Sequence, residues 1–228
     1  MLVVLDAGHG GKDSGAVGGN YYEKNIAFDV TRRIRPKLEA AGIDVILTRN
    51  DDTFIELAAR AELANRNNAD VFVSIHLNSA STPSANGTEV WTYPGEAKDE
   101  RLGQCILDPL VAATGFRNRG IKYEKFAVLR LTKMPAALVE LGFITNPEQE
   151  QVMASWSYQE TASTAIADGI KTYLGVNNVE QQPHWGQQYL DNLVRKGYII
   201  SPQEWENFDA PPTNAMVLAL ADKITDRI

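Results

Sequence analysis

The chain opens with the stretch LVVLDAGHGG, residues 2–11. Its four leading apolar residues, two of them β-branched, predict a short buried strand, and the glycines that follow predict a tight loop. One of the chain's three histidines, His9, lies in that loop. Phosphate binding is not indicated, because the Walker pattern needs a glycine where Asp6 stands and the dinucleotide fingerprint needs one where Asp13 stands. Taken alone, the stretch is typical of a structural turn.

Strands and helices alternate through the rest of the first three quarters of the chain. The sequence predicts further strands at 43–47, 71–75, 87–93, 127–129 and 136–139, with the one at 87–93 nearer an edge. Apolar residues at helical spacing predict helices near 26–38, 57–64, 99–113 and 157–175, and a short one after Asn146. This order predicts an α/β fold, a twisted and mostly parallel sheet of about six strands flanked by helices.

Three local signals refine the predicted helices. Pro36 lies inside the first one and is expected to kink or split it. Residues 51–53 offer N-caps for the second helix, with Leu57 on its buried face. Ser157 with Glu160 forms the pattern of a capping box, so the last of these helices is expected to begin there.

Three segments make up the predicted domain organisation. Residues 1–175 are expected to form the α/β domain, and 176–183 a polar linker. Residues 184–228 carry their own helical pattern and predict a small helix–loop–helix module. Such a short piece is too small to be very stable without a partner or the main domain.

Composition bounds the possible functions. The chain has 228 residues, of which 44% are apolar and 22% charged, as in ordinary globular proteins. Its formal charge of −7 argues against nucleic acid or an anionic membrane surface as a partner. A single cysteine, Cys105, excludes an internal disulfide and a cysteine-based zinc site. We expect neither membrane insertion nor a signal peptide, because no apolar run is long enough for the first and no basic region precedes one for the second.

Four polar residues are expected to meet at one edge of the sheet. His9, His76 and Glu140 each follow or end a predicted strand, and Glu23 comes just before a predicted helix. Ligands of open α/β sheets bind beyond the carboxyl ends of the strands. His9, Glu23 and His76 together form a His₂Glu set, a known composition of catalytic zinc sites. Glu140 then fits the general base that takes a proton from water.

Each of these residues also has a structural explanation. A histidine at a strand end is commonly hydrogen-bonded within the fold, and Glu23 could favour the positive start of a helix. Glu140 could form an ion pair with Arg49 or Arg130. The joint arrival of all four at one edge nevertheless favours a metal site that hydrolyses its substrate.

Four segments resemble the motifs of the zinc-dependent N-acetylmuramoyl-L-alanine amidases of the amidase-3 type. They are DAGHGG at 6–11, EKN at 23–25, SIHLN at 74–78 and VELGFITN at 139–146. The resemblance covers about residues 1–175 and implies a sheet of about six strands. It assigns one zinc ion to His9, Glu23 and His76, and catalysis to Glu140. It also implies the substrate, the amide between N-acetylmuramic acid and L-alanine in peptidoglycan.

Two further residues are candidates for supporting roles. Asn78, two residues after a proposed ligand, is a candidate for substrate binding or for capping a loop. Asp6 is a candidate for orienting a ligand histidine or for stabilising a turn. Two other functions stay open: a zinc peptidase that cuts stem peptides, and a catalytically inactive protein that binds the cell wall.

The last segment, 184–228, resembles a single S-layer-homology-type unit. That resemblance implies binding of a secondary cell-wall polymer, although dimerisation or packing on the catalytic domain is equally compatible with it. The expected substrate lies in the cell wall, whereas no export signal is predicted. A phage-type endolysin released by lysis fits both expectations, as does a secreted protein from which a signal has been removed.

Overall fold

The computed structural model describes residues 1–176. The chain divides after Asn177 into two units, so every described element belongs to the first. The module predicted at 184–228, and the predicted linker after residue 176, lie outside the described residues. Among the helices of residues 1–176, none has the length and apolar character that crossing a membrane requires.

Six strands and six helices make up the described part of the chain. In order they are β1 (Leu2–Ala7), α1 (Glu23–Glu39), β2 (Asp44–Leu47), α2 (Leu57–Arg66), β3 (Val71–Asn78), β4 (Thr88–Thr92), α3 (Ala97–Thr114), β5 (Asn118–Tyr123), α4 (Ala127–Leu131), β6 (Ala136–Phe143), α5 (Pro147–Ala154) and α6 (Trp156–Leu174).

All six strands form one sheet in the order β2-β1-β3-β6-β4-β5. Four neighbouring pairs are parallel, and only β4 and β6 run antiparallel. The helices cover both faces, as the alternation of elements in the sequence requires. The predicted six-stranded, mostly parallel α/β fold is therefore confirmed.

Two apolar clusters lie on opposite faces of the sheet. The larger one joins odd-numbered strand residues such as Val73 and Val139 to helices α1, α3 and α6. The smaller one joins even-numbered residues such as Phe72 and Leu138 to residues of α2 and α4. Because successive side chains of a strand point to opposite faces, every even-numbered residue of β3 lies on the α2 and α4 face.

On that second face, apolar residues give way to polar ones along the strand. In β3, Phe72 is followed at alternate positions by Ser74, His76 and Asn78. In β6, Leu138 is followed by Glu140. The short helices therefore cover only the apolar beginning of these strands, and the polar carboxyl-terminal half is left for a functional site.

The predicted strand at 127–129 is wrong, because those residues begin helix α4. The sixth strand is instead β5, at the edge of the sheet. An apolar run of three residues is too short for periodicity to separate a helix from a strand. The sequence of β5 (NRGIKY) is largely polar, since an edge strand is not buried on both sides.

Details of three helices also differ from the sequence predictions. Pro36 lies in the last turn of α1, and the helix continues to Glu39, so the proline does not split it. Helix α2 begins at Leu57, whose side chain is exposed, after Glu56 as its N-cap. Helix α6 is capped by the Ser155 hydroxyl, which accepts from the backbone N–H of Tyr158, and not by a capping box at residue 157.

Candidate metal centre

His9 sits in the loop directly after β1 with its backbone in the left-handed region, at a φ of 60°. Its backbone is held there by the Arg60 guanidinium, which donates to the His9 carbonyl over 2.7 Å. Its side chain is fixed as well, because Nδ1 donates to Asp13 Oδ2 over 2.9 Å. In a neutral imidazole this arrangement leaves the lone pair of Nε2 available to bind a metal.

Glu23 is the first residue of α1 and is only 3% exposed. Its Oε1 atom lies 3.1 Å from His9 Nε2 and 2.8 Å from His76 Nδ1. The backbone N–H of Leu77 donates to this same oxygen, and that of Ala16 donates to Oε2 over 2.7 Å. The carboxylate is therefore oriented from both sides by backbone groups of two other segments.

His76 lies on β3 with its ring against the β1 loop. The His9 and His76 rings meet edge to face, with centroids 4.9 Å apart. Gly8 allows this approach, because a Cβ at that position would overlap the His76 imidazole. The glycine loop that looked like a structural turn in the sequence thus gives the second histidine its space.

The three side chains form a candidate metal-binding triad. One donor atom from each of His9, Glu23 and His76 lies within 4.8 Å of the others. In a tetrahedral zinc site with bonds of about 2.1 Å, ligand atoms are roughly 3.4 Å apart. The donor set is also one that zinc uses in catalytic sites, two imidazoles and a carboxylate. The residues present therefore fit a zinc ion in both composition and spacing.

The triad is electrostatically coupled. Burial alone would raise the pKa of Glu23, but the imidazoles of His76 and His9 bring it well below its ordinary value. Burial alone would lower the pKa of His9, yet the carboxylates of Glu23 and Asp13 raise it above its ordinary value. A carboxylate that stays charged when buried is suited to binding a cation.

Glu140 lies on β6 directly beside His76, with which it is in register in the parallel β3–β6 pair. Its Oε2 atom is buried and has no hydrogen-bond partner among the described residues. Burial, reinforced by the negative charges of Glu23 and Glu89, holds the pKa of Glu140 well above its ordinary value. It forms no ion pair with Arg49, whose guanidinium donates instead to backbone carbonyls of Ala7 and other residues.

A second buried carboxylate, Glu89, stands on the other side of Glu140 in the antiparallel β4–β6 pair. Its two oxygens accept from Asn78 Nδ2 over 2.6 Å and from Arg119 Nε over 2.7 Å. The other end of the Asn78 amide accepts from the backbone N–H of Ser79. Both ends of the Asn78 side chain are therefore engaged within the fold.

Asp6 is buried below the triad in β1. Burial would raise its pKa, but the Arg60 guanidinium and the hydroxyls of Ser74 and Thr48 bring it below the ordinary value. Because these three groups donate hydrogen bonds to both oxygens of the carboxylate, Asp6 makes no bond to His9 itself. It acts on the His9 loop through Arg60. The residue that does bond to His9 is Asp13, which the sequence analysis did not identify as a site residue.

The candidate site opens into one cleft of about 590 Å³. Its wall includes His9, Glu23, His76, Asn78 and Glu140. The segments leading into α2 and α4 add an apolar wall that includes Phe54, Phe126 and Leu57, the first residue of α2. The exposed Leu57, which the helical pattern placed in the core, thus borders the cleft instead. The arrangement combines a candidate metal-binding triad, a buried carboxyl group beside it and an open cleft.

Comparisons with known sequences agree on one family. The Amidase_3 family, described as N-acetylmuramoyl-L-alanine amidase, matches residues 3–172. The N-acetylmuramoyl-L-alanine amidase LytC of Bacillus subtilis is 39% identical over 174 residues, which cover 75% of this chain and 35% of LytC. The endolysin of Bacillus phage SPP1 is 36% identical over 182 residues, which cover 77% of this chain and 66% of the endolysin.

A solved structure gives the same result. The catalytic domain of CwlV, an N-acetylmuramoyl-L-alanine amidase from Paenibacillus polymyxa var. colistinus, superposes with a TM-score of 0.75 at 40% identity. The similar region covers 77% of this chain and 99% of that domain. The family resemblance predicted from the four sequence motifs is confirmed. The chain belongs to the N-acetylmuramoyl-L-alanine amidase family.

Proposed function

We propose that this chain is a zinc-dependent hydrolase that cleaves the amide between N-acetylmuramic acid and L-alanine in peptidoglycan. The observation that carries the proposal is the meeting of His9, Glu23 and His76 beside Glu140 in one cleft. Family membership supports the substrate. Because the chain spans only 35% of LytC, the activity of such longer relatives is transferred here as part of the proposal.

In this proposal His9, Glu23 and His76 hold one zinc ion per chain. When bound, zinc supplies a Lewis acid that polarises the scissile carbonyl and acidifies the attacking water. Asp13 keeps a proton on His9 Nδ1, so that Nε2 points its lone pair into the cluster. Glu23 is held for the same task by the backbone N–H groups of Ala16 and Leu77.

Glu140 is the general base of the proposed reaction. Its Oε2 atom has no hydrogen-bond partner among residues 1–176, so it is free to accept a proton from the attacking water. The water oxygen becomes part of the lactyl carboxylate, and the proton moves from Glu140 to the nitrogen of L-alanine as the C–N bond breaks. A raised pKa suits a group that must both take up and return a proton.

Asn78 and Asp6 receive supporting roles. Since both ends of the Asn78 amide are engaged by Glu89 and Ser79, we assign Asn78 to positioning the loop after β3 and not to binding substrate. We assign Asp6 to fixing Arg60, whose guanidinium also holds the carbonyls of Ala7 and His9.

Digestion of purified peptidoglycan tests the proposal. The wild-type chain is expected to release new L-alanine amino groups on intact stem peptides, measured by mass spectrometry. Glu140→Gln is expected to lower that rate by about 10²- to 10⁴-fold while zinc content stays near one per chain. Glu62→Gln, an exposed residue on α2, is the matched control and is expected to keep full activity.

Other products would identify the two alternatives. Cuts inside the stem peptide would indicate a zinc peptidase, and binding to cell walls without any release would indicate an inactive wall-binding protein. A fully active Glu140→Gln variant would overturn the assignment of the base. Zinc content that is unchanged in His9→Ala would overturn the assignment of the ligands.

The place of action follows from the substrate. Peptidoglycan is the polymer of the cell wall, so we place the reaction there. Binding of a secondary cell-wall polymer by 184–228 stays a prediction from the sequence.

A further inference from the structure

A buried carboxyl group outside the metal-binding triad faces the loop that leads to Glu23. Glu150 lies on α5, is only 2% exposed and does not line the cleft. Its Oε1 atom accepts from the backbone N–H groups of Asn20 and Tyr21, over 2.7 and 2.9 Å. Tyr21 is two residues before Glu23, so Glu150 holds the backbone immediately ahead of the carboxylate in the triad.

The loop itself is built to meet Glu150 closely. A Cβ at Gly18 would overlap Glu150 Oε1 and would lie 2.8 Å from the Ile144 carbonyl oxygen. The backbone N–H of Gly18 donates to the Tyr21 carbonyl over 3.0 Å, which closes the tip of the loop. Only a residue without a side chain therefore allows this tip to rest on α5.

Glu23 closes the base of the same loop. Its backbone N–H donates to the Ala16 carbonyl over 3.0 Å, and its Oε2 accepts from the Ala16 N–H. The position of the Glu23 carboxylate is therefore linked to the position of the whole 16–22 segment. Within residues 1–176, the side chain of the N-cap residue Tyr22 makes no capping hydrogen bond to the start of α1.

The segment from Thr145 to Gln149 also holds the loop that follows β3. Thr145 Oγ1 accepts from the backbone N–H of Ala80, and Asn146 Nδ2 donates to the Ala85 carbonyl. Gln149 Oε1 accepts from the backbone N–H of Gly87. The short segment after β6 thus contacts both the loop before α1 and the loop after β3, through side chains that the chemistry of the site does not use.

We propose that Glu150 is a positioning residue for Glu23, which fixes the loop 16–22 so that the Glu23 carboxylate faces both histidines. The inference rests on the proposed metal site but concerns a residue outside it. Loss of the Glu150 acceptor leaves the N–H groups of Asn20 and Tyr21 without their partner, which frees the loop. Loss of an outer partner of a ligand commonly weakens metal binding by about 10- to 100-fold.

Three variants of α5 test this role by zinc affinity, measured against a competing chelator, and by steady-state kinetics on peptidoglycan fragments. Glu150→Ala is expected to weaken zinc binding by about 10- to 100-fold and to lower kcat, with little change in KM because Glu150 is remote from substrate. Glu150→Gln keeps an oxygen acceptor and is expected to stay near wild type. Glu148→Ala, on the exposed side of the same helix, is the matched control.

Gly18→Ala approaches the same contact from the loop. It removes no polar group and its φ is not in the left-handed region, so the expected effect comes from overlap of the new Cβ with Glu150 and with the Ile144 carbonyl oxygen, which displaces the loop from α5. It is expected to weaken zinc binding to a similar extent. This second variant decides the question if Glu150→Ala does not fold.

The outcomes separate the two proposals. A wild-type chain that binds no zinc would sink the proposed function. Wild-type zinc binding together with unchanged zinc affinity in folded Glu150→Ala or Gly18→Ala would sink the positioning role alone. Rapid hydrogen exchange at the Asn20 and Tyr21 amides of the wild-type protein would also contradict it, because both amides are bonded to Glu150 in the structure.

Discussion

The hydrogen bond from His9 to Asp13 determines the tautomer of the His9 imidazole. The Asp13 carboxylate can only accept a hydrogen bond, so it keeps the proton on Nδ1 and leaves Nε2 as the donor atom. The same side chain accepts from the backbone N–H of Gly15 through its other oxygen. At the scale of single residues, the chemistry of a proposed ligand therefore depends on a neighbour four positions along the chain.

Asp13→Asn tests this dependence. The amide can keep the bond to Gly15, but it then presents an N–H to His9 Nδ1 and favours the tautomer that protonates Nε2. Zinc affinity is expected to fall by about 10- to 100-fold in competition with a chelator. Asp44→Asn, an exposed position on β2, serves as the control. Equal affinity in both variants would show that Asp13 does not fix the tautomer.

The opposite pKa shifts of Glu23 and His9 predict the pH dependence of the metal-free protein. The lowered pKa of Glu23 contributes stability that is present above its ordinary value of 4.5 and is lost as pH falls. The raised pKa of His9 contributes stability that is present below its ordinary value of 6.5 and is lost as pH rises. The coupling is therefore expected to stabilise the metal-free fold most between these two values.

Calorimetry in the presence of a chelator checks this expectation. The Tm of the metal-free protein is expected to fall as pH rises above 6.5, the ordinary pKa of His9, and His9 loses its proton. The zinc-loaded protein is expected to show the reverse, because zinc competes with protons for the imidazoles and is released in acid. His9→Ala is expected to make the decline of the metal-free protein shallower, and the decline that remains comes from groups such as Glu140, whose pKa is also raised in the fold. A metal-free Tm that rises over this range would contradict the coupling.

At the scale of elements, the residues that cap the helices only partly match the capping signals in the sequence. Asn146 caps α5 as predicted, and its Oδ1 accepts from the backbone N–H groups of Glu148 and Gln149. The serine expected to cap α6, Ser157, is instead an exposed residue inside that helix. Ser155 is the cap, because it is the residue whose hydroxyl reaches the Tyr158 N–H.

Paired alanine substitutions distinguish the two serines. Ser155→Ala is expected to lower the free energy of unfolding by about 1 kcal/mol, since the first turn of α6 loses its acceptor. Ser157→Ala removes no cap and is expected to change it by less than about 0.5 kcal/mol. Urea denaturation measures both. A larger loss at Ser157 than at Ser155 would place the start of α6 at the sequence-predicted cap.

At the scale of the whole molecule, the site exists because one face of the sheet is only partly covered. Helices α2 and α4 pack over Phe72 and Leu138, while His76 and Glu140 farther along the same strands line the open cleft. Every residue proposed for catalysis or metal binding lies within residues 1–176. The chemistry is therefore expected to reside in the α/β domain alone.

Truncation after Asn177 tests that expectation. The shortened chain is expected to bind one zinc ion and to hydrolyse soluble muropeptides at the rate of the full chain. Its binding to purified cell walls is expected to fall if 184–228 is the predicted wall-binding module. Unchanged wall binding would contradict that prediction, and loss of zinc would show that the catalytic domain needs the segment beyond it.

The amino-acid sequence by itself determined the fold class and the candidate site to a large extent. Alternating apolar strands and amphipathic helices predicted the six-stranded α/β sheet, because periodicity reports which faces are buried. Polar residues at the ends of β1, β3 and β6 predicted a shared edge, since parallel strands end on the same side. The confirmed family followed from the order of its four motifs.

Only the tertiary structure decided which neighbours these residues have. It placed Asp13 on His9, Glu89 between Asn78 and Arg119, and Glu150 on the loop before Glu23. Contacts such as Glu150 with Asn20 join positions 130 residues apart, and no local periodicity encodes them. The opening stretch shows the difference plainly: the sequence predicts its strand and its glycine turn, whereas the packing of distant segments brings the histidine of that turn beside Glu23 and His76 in the proposed metal site.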